Sequence, residues 1–337
     1  GHIQEEEVRF AARRGYSKHK KPKPLYTLKD AKAALDRFDL QPFDRRIDLG
    51  DGIAARFIPA GHLLGAAQIR LEVGGRVVHF SGADVLVCES TYGNRSHSDV
   101  DPEAELAPIL KRTFARGGTV LIPSFAVGRA QGLMLHIARL MERGDIPYVP
   151  VFLNSPMAVN ATEIYHRHHA EHHVSREDCI AMFEIAKRVN TVEQSKELNT
   201  RQGPMIIVSA SGMLTGGRIL HHLASFGGDR RNAILLSGFQ AGGTRGAALA
   251  GGARTLRMFG REFQIEAEVV QLQSFSGHAD ADEILRWMSA GPAPEMTYLT
   301  HGEPVTADTL RFRVEHELGR SVRVPEHLES VYLDRPR

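Results

Sequence analysis

Two cysteines in 337 residues, Cys88 and Cys179, are too few for a disulfide framework or a cysteine-based zinc finger. Each lies in an apolar or helical stretch that reads as packing, and a reducing, cytoplasmic setting fits best. No apolar run approaches the roughly 20 residues that span a bilayer. The opening Gly1-His2-Ile3-Gln4-Glu5-Glu6-Glu7 has no signal-peptide character, so no membrane role is expected. Also missing are a Gly-x-Ser-x-Gly elbow, a P-loop and a dinucleotide glycine motif, which removes support for serine hydrolases, NTPases and dehydrogenases. Excess charge of one sign is small: a formal net charge of +2 neither requires nor excludes a polyanionic partner, so any role for charge depends on local clustering. There is no internal repeat or low-complexity tract.

What remains is the composition of a globular enzyme with room for two domains, 42% hydrophobic and 24% charged. Helical periodicity over Glu7 to Ala12 leads into a basic loop, Arg13 to Pro24, and a helix from Leu28 to Phe38. Lys18, Lys20 and Lys21 in that loop are either a solvated turn or a phosphate-steering cluster, with Tyr16 as a stacking ring. Apolar alternation predicts strands at Ile53 to Pro59, Gln68 to Val73 and Arg76 to Phe80, the last two joined by a tight turn at Gly74-Gly75. From about Ser98 to Arg261 strands alternate with helices, as in Thr119 to Pro123 then Arg129 to Arg143, and Met205 to Ser209 then Arg218 to Phe226. That alternation predicts an α/β unit on a parallel sheet, with buried strands also at Val149 to Leu153 and Ala233 to Leu236.

Three histidines recur in one context. His62, His278 and His301 each follow an apolar run and lie in a Gly-rich turn, where buried strands end and catalytic groups concentrate. A single such histidine reads as a hydrogen-bonded loop residue; three together suit a divided metal-hydrolase site with neutral imidazole ligands. A different histidine cluster, His166 to His173, contains His168, Glu171 and His172 in the His-x-x-Glu-His spacing of some zinc peptidases. Its surroundings are polar on most faces, so it reads as solvated surface.

Gly61-His62-Leu63-Leu64-Gly65, Glu89-Ser90-Thr91-Tyr92-Gly93, Ser274-Phe275-Ser276-Gly277-His278 and His301-Gly302-Glu303 resemble, in order, motifs of the β-CASP branch of the metallo-β-lactamase superfamily. Pro123 to Gln131, Ser155-Pro156-Met157-Ala158 and Ser209-Ala210-Ser211-Gly212-Met213 extend the resemblance over nearly the whole chain, closest to bacterial ribonucleases akin to the nuclease of the pre-mRNA 3′-end cleavage complex. The resemblance implies an α/β class fold, a metallo-β-lactamase αββα sandwich with an inserted α/β β-CASP cap. Its expected divisions are 1–97 for the first part of the hydrolase domain, lacking its N-terminal segment, 98–261 for the cap, and 262–337 for the rest of the hydrolase. It implies two zinc ions, with His62 and His301 as ligands, His278 as general acid, and Glu89 orienting a neighbouring histidine or charge. Read by itself, Glu89 could also cap the next turn.

The sequence departs from that family pattern in two places. It has no His-x-His-x-Asp-His segment among its 17 histidines, and Phe80-Ser81-Gly82 runs directly into Ala83-Asp84-Val85. Taken literally, two histidine ligands cannot hold a two-metal centre, which describes a metal-free scaffold. The expectation preferred here is that the first metal motif precedes Gly1 and that a further loop belongs between Gly82 and Ala83, since a connection between parallel strands needs a dozen or more residues. Ser209, Ser211, Ser274 and Ser276 either present hydroxyls to a phosphate or cap local structure, with more weight on phosphate for the pair beside His278. Arg129 either contacts phosphate or forms a structural ion pair. The functional expectation is a zinc-dependent ribonuclease cleaving single-stranded RNA, endonucleolytically, in the cytoplasm, with a homodimer left open. The motifs do not separate RNA from DNA, or endonuclease from exonuclease action. The alternatives are a DNA nuclease of the same fold and a catalytically inactive nucleic-acid-binding relative.

Overall fold

The computed structural model describes residues 4–5, 8–9, 12–13, 22–78 and 83–332. Lys18, Lys20 and Lys21 lie outside the described residues, as do Phe80, Ser81 and Gly82, and the helix expected over Glu7 to Ala12 falls only partly within them. Helix α1, Leu28–Leu35, starts at a capping box in which Thr27 Oγ1 accepts from the Asp30 amide and Asp30 accepts from the Thr27 amide. It stops short of the expected Phe38, because Arg37 and Phe38 bond back three residues, to Ala34 and Leu35, and tighten the chain into a turn.

Strands β1 (Arg46–Gly50), β2 (Ile53–Pro59), β3 (Ala67–Val73) and β4 (Arg76–Val78) form an antiparallel meander. Gly74 and Gly75 both have positive φ, 58° and 79°, which is the backbone that a two-residue hairpin turn demands. Strand β5, Val85–Glu89, then lies parallel to β4 through Val78 and Val85. The Asp84 carboxylate accepts from the Val77 amide at 2.6 Å and fixes the start of β5 against β4.

The next unit is the α/β one. Its helices α2 (Pro102–Ala115), α3 (Arg129–Glu142), α4 (Pro156–Arg167), α5 (Arg176–Glu184), α6 (Val192–Leu198), α7 (Ile219–Phe226) and α8 (Arg245–Ala250) alternate with strands β6 (Thr119–Pro123), β7 (Val151–Leu153), β8 (Ala186–Arg188), β9 (Met205–Ser209) and β10 (Ala233–Leu236). A hairpin, β11 (Thr255–Met258) with β12 (Arg261–Gln264), precedes β13 (Glu268–Gln271). The six-stranded sheet is parallel throughout, in the order β13-β10-β6-β9-β7-β8. Strand alternation sends Val120, Ile122, Ile206 and Val208 into one core with α2 to α5, while Leu121, Met205, Ile207 and Ile234 enter another with α7 and α8. A sheet buried on both faces reads in sequence as the uninterrupted apolar runs noted above.

The chain then returns to the first sheet. β14 (Met296–Thr300) pairs in parallel with β5, Met296 opposite Val85 through Thr300 opposite Glu89, and β15 (Val322–Arg323) extends that edge. Helices α9 (Ala281–Ser289) and α10 (Pro304–Leu318) pack Ile284, Leu285, Met288, Leu310 and Val314 against Leu86 and Leu299. The chain divides into two compact units, one of Gly1–Phe38 and Asp99–Ser276 and the other of Asp39–Ser98 and Gly277–Arg337. The second division falls at 276/277 rather than 261/262 because β13 pairs with β10 over its whole length, from Ala233 opposite Glu268 to Leu236 opposite Gln271. Among the described residues, no helix is long and apolar enough to cross a membrane.

Candidate metal centre

Parallel pairing of β5 with β14 sets Glu89 opposite Thr300, so Glu89 and His301 lie at the same end of neighbouring strands. The turns beyond those ends approach closely. Ser90 is fully buried and its hydroxyl donates to the Thr300 carbonyl at 2.9 Å. Gly302 packs against Ser90: a side-chain carbon there would overlap the Ser90 hydroxyl and stand 2.6 Å from its carbonyl oxygen. His301 occupies the left-handed region at φ 53°, a conformation that a non-glycine residue adopts only when its surroundings hold it there. Gly93 closes the turn after Glu89, since a side chain there would meet Leu310 Cβ at 2.7 Å on α10.

Around this pair of turns the side chains form one hydrogen-bonded group. His278 Nδ1 bonds Glu89 Oε2 at 2.6 Å, and the Thr91 hydroxyl donates to the same oxygen at 2.5 Å. Thr91 Oγ1 also lies 3.1 Å from His301 Nδ1 and 3.1 Å from the His301 carbonyl. His62 Nδ1 bonds the Gly277 carbonyl at 2.8 Å, and its ring stands 4.5 Å from that of His278, which in turn stacks on His301 at 5.5 Å between centroids. A carboxylate and a carbonyl only accept, so His278 and His62 each carry their proton on Nδ1 and keep the lone pair on Nε2. Burial alone would raise the Glu89 carboxyl, but the His278 and Thr91 hydrogen bonds and the neighbouring imidazoles outweigh it and hold the pKa below the usual glutamate value. Glu89 is therefore an anion at neutral pH.

One donor atom from each of Glu89, His278 and His301 lies within 4.8 Å of the others, among the described residues the group close enough to hold a metal ion. Imidazole nitrogen and carboxylate oxygen are the donor types of zinc, and an imidazole whose Nδ1–H is anchored to a carboxylate or carbonyl is the usual state of a zinc-ligating histidine. The donor types present fit a divalent ion, with Glu89 and His278 also bonded to each other.

Three residues in this arrangement were not assigned roles from sequence. Thr91 is the hydroxyl between Glu89 and His301. Asp280 is buried at the N-terminus of α9, where it accepts from the Glu283 and His97 amides. His97 Nε2 bonds the His278 carbonyl at 2.8 Å and its ring meets Tyr92 edge-on at 4.9 Å. Together they fix the 277–280 turn that carries His278. Only the Asp-x-x-Glu spacing of Asp280 and Glu283 signalled any of this, as a helix start.

The remaining sequence-derived residues lie in the α/β unit. Ser209, buried at the end of β9, donates to the Asn154 carbonyl at 2.8 Å, and Ser211 Oγ accepts from the Thr215 amide at 3.0 Å. Ser274 and Gln273 bind Glu105, the Ser274 hydroxyl at 2.5 Å and the Gln273 amide at 2.8 Å. Ser276 is half-buried beyond them. Arg129 opens α3 with its guanidinium against the Gly238 backbone, where a side-chain carbon would stand 2.5 Å from Nη1. The His166 to His173 stretch is broken: α4 ends at Arg167, a 3-10 turn follows at His169–Glu171, and exposed His168 bonds Glu171 at 2.7 Å. Elsewhere in this unit His222 is buried between Asn154, which donates to its Nε2 at 2.6 Å, and Asn199, which accepts from its Nδ1 at 2.7 Å. Burial, then the charges of His221 and Arg218, push its pKa down to about 4.

Residues 130–249 match the Beta-Casp domain, and residues 262–325 match the Zn-dependent metallo-hydrolase RNA specificity domain. The chain is 34% identical to a Thermus thermophilus protein named ribonuclease TTHA0252, over 83% of this chain and 69% of that one. It is 32% identical to an RNase J-like protein of Methanocaldococcus jannaschii, over 82% and 70%. With a transcription termination factor FttA of Pyrococcus abyssi it shares 29% identity over 92% of this chain, which spans 53% of that protein. With an α/β unit inserted between the two sequence segments that build the histidine-bearing sheet, this chain belongs to the β-CASP nuclease family of the metallo-β-lactamase fold.

Proposed function

We propose that this chain is a ribonuclease that hydrolyses phosphodiester bonds of RNA with zinc. The observation that carries the reading is the convergence of Glu89, His278 and His301, with His62 beside them, at one end of the sheet. The ribonuclease-named relatives and the RNA specificity domain support RNA as the polymer. His301 and His62 would hold zinc, and two ions would draw their further ligands from outside these residues. Zinc bound there supplies Lewis acidity toward the phosphate and toward water. His278 holds a proton for the leaving oxygen: with Nδ1–H on the Glu89 carboxylate, a second proton on Nε2 makes an imidazolium that Glu89 stabilises, and loss of that proton returns the neutral ring.

The finer points belong to the same proposal and rest on the family resemblance and the low cysteine content. They are single-stranded RNA as substrate, endonucleolytic cut sites, a cytoplasmic setting and a homodimer. Ser209, Ser211, Ser274, Ser276 and Arg129, with Lys18, Lys20 and Lys21, are proposed as RNA contacts; the Ser209 and Ser274 hydroxyls already donate to the Asn154 carbonyl and to Glu105, so toward RNA they would accept from a ribose hydroxyl or a base amine and not hold a phosphate. The test is cleavage of an end-labelled single-stranded RNA with added zinc. Internal cuts that disappear in His278→Ala support the reading. RNA bound but left intact by the wild-type protein would favour the non-catalytic binding role.

A further inference from the structure

Thr91 places one hydroxyl among more partners than one proton can serve. Its oxygen lies 2.5 Å from Glu89 Oε2, 3.1 Å from the His301 carbonyl, 3.1 Å from His301 Nδ1 and 3.4 Å from His278 Nδ1. The two oxygens only accept, and the shortest contact is to an ionised carboxylate, so the hydroxyl proton goes to Glu89. That donation turns a lone pair of the hydroxyl toward His301, and a lone pair is met by an N–H. Nδ1 of His301 is then the protonated nitrogen and Nε2 carries the ring's lone pair.

We propose that Thr91 is a positioning residue that selects the Nδ1–H tautomer of His301 and so reserves Nε2 of that ring for zinc. The proposal rests on the reading of His301 as a metal ligand. It gives the third imidazole the anchor that the Gly277 carbonyl gives His62 and Glu89 gives His278. Because the same hydroxyl serves Glu89 and His301, it also ties the carboxylate of the proton-handling pair to the ring that holds the metal. Its relay runs through a group whose own proton is fixed by the carboxylate, so Thr91→Val removes the donation and the acceptance at once without changing the side chain's shape, whereas Thr91→Ser retains both.

The experiment combines 15N NMR of histidine-labelled, metal-free protein with zinc titration against a competing chelator. In the wild type, His301, assigned by loss of its signal in His301→Gln, is expected to be protonated on Nδ1. Thr91→Val is expected to populate the Nε2–H form and to weaken zinc binding about 10- to 100-fold, the usual effect of removing a ligand's outer hydrogen-bond partner. Thr91→Ser is expected to keep the wild-type tautomer and affinity. An Nε2–H His301 in the wild type, or an unchanged tautomer and zinc affinity in Thr91→Val, overturns the assignment. A tautomer switch in Thr91→Val with no zinc bound by the wild type upholds the hydrogen-bond assignment and removes the metal reading on which its use depends.

Discussion

His222 shows what a buried imidazole costs in acid. It is neutral, fully buried and bonded on both nitrogens, so the folded protein resists the proton that the unfolded chain accepts near the ordinary value of 6.5. The folded pKa is depressed, so its contribution is complete above about 6.5 and is lost as the pH falls toward about 4. The loss over that span is on the order of 3 kcal/mol, taking about 1.4 kcal/mol for each unit. Urea unfolding at steps between pH 7 and pH 4 should show it; a flat profile would contradict the burial described. At this scale the sequence was partly legible. His62, His278 and His301 stood out because each follows an apolar run in a Gly-rich turn, and Glu89 through its resemblance to a family motif, whereas Thr91 and His97 look ordinary until folding brings distant turns together. Glu105, which captures Gln273 and Ser274, gives no sequence signal for a contact so far along the chain.

Strands were the best-read elements. The apolar runs Ile53–Pro59, Thr119–Pro123, Met205–Ser209 and Ala233–Leu236 match β2, β6, β9 and β10 end to end, because a buried strand stops where its apolar run stops. The short pieces β1, β11 and β12 escaped, having few apolar positions and exposed faces. Two glycines separate close approach from open space. Gly302→Ala would push a methyl into Ser90, which is fully buried and cannot withdraw, so a loss of about 1–3 kcal/mol is expected, with disturbance of the turn that carries His301. Gly132, inside α3, faces no atom within 4 Å, and Gly132→Ala should stabilise by up to about 1 kcal/mol through helix propensity. Thermal melts of the two variants moving in opposite directions are the expected result; equal shifts would show that the Ser90–Gly302 contact is not close.

For the whole molecule, the insertion explains how motifs far apart in sequence build one site. Residues before and after the α/β unit share the sheet in which β5 and β14 pair, and every side chain of the candidate centre comes from the unit of Asp39–Ser98 and Gly277–Arg337 that holds this sheet. The alternation of strands and helices made the inserted unit legible as α/β from sequence. Its lower boundary was not, because β13 is an apolar run of the same kind as the strands on either side of it, and only pairing with β10 decides where it belongs. Zinc per protein chain, measured by atomic emission on the purified wild type beside His301→Ala and His278→Ala, tests the metal assignment most directly. Zinc in the wild type and in His278→Ala, lost in His301→Ala, is the expected result; a wild type without zinc, or equal zinc in His301→Ala, would contradict it.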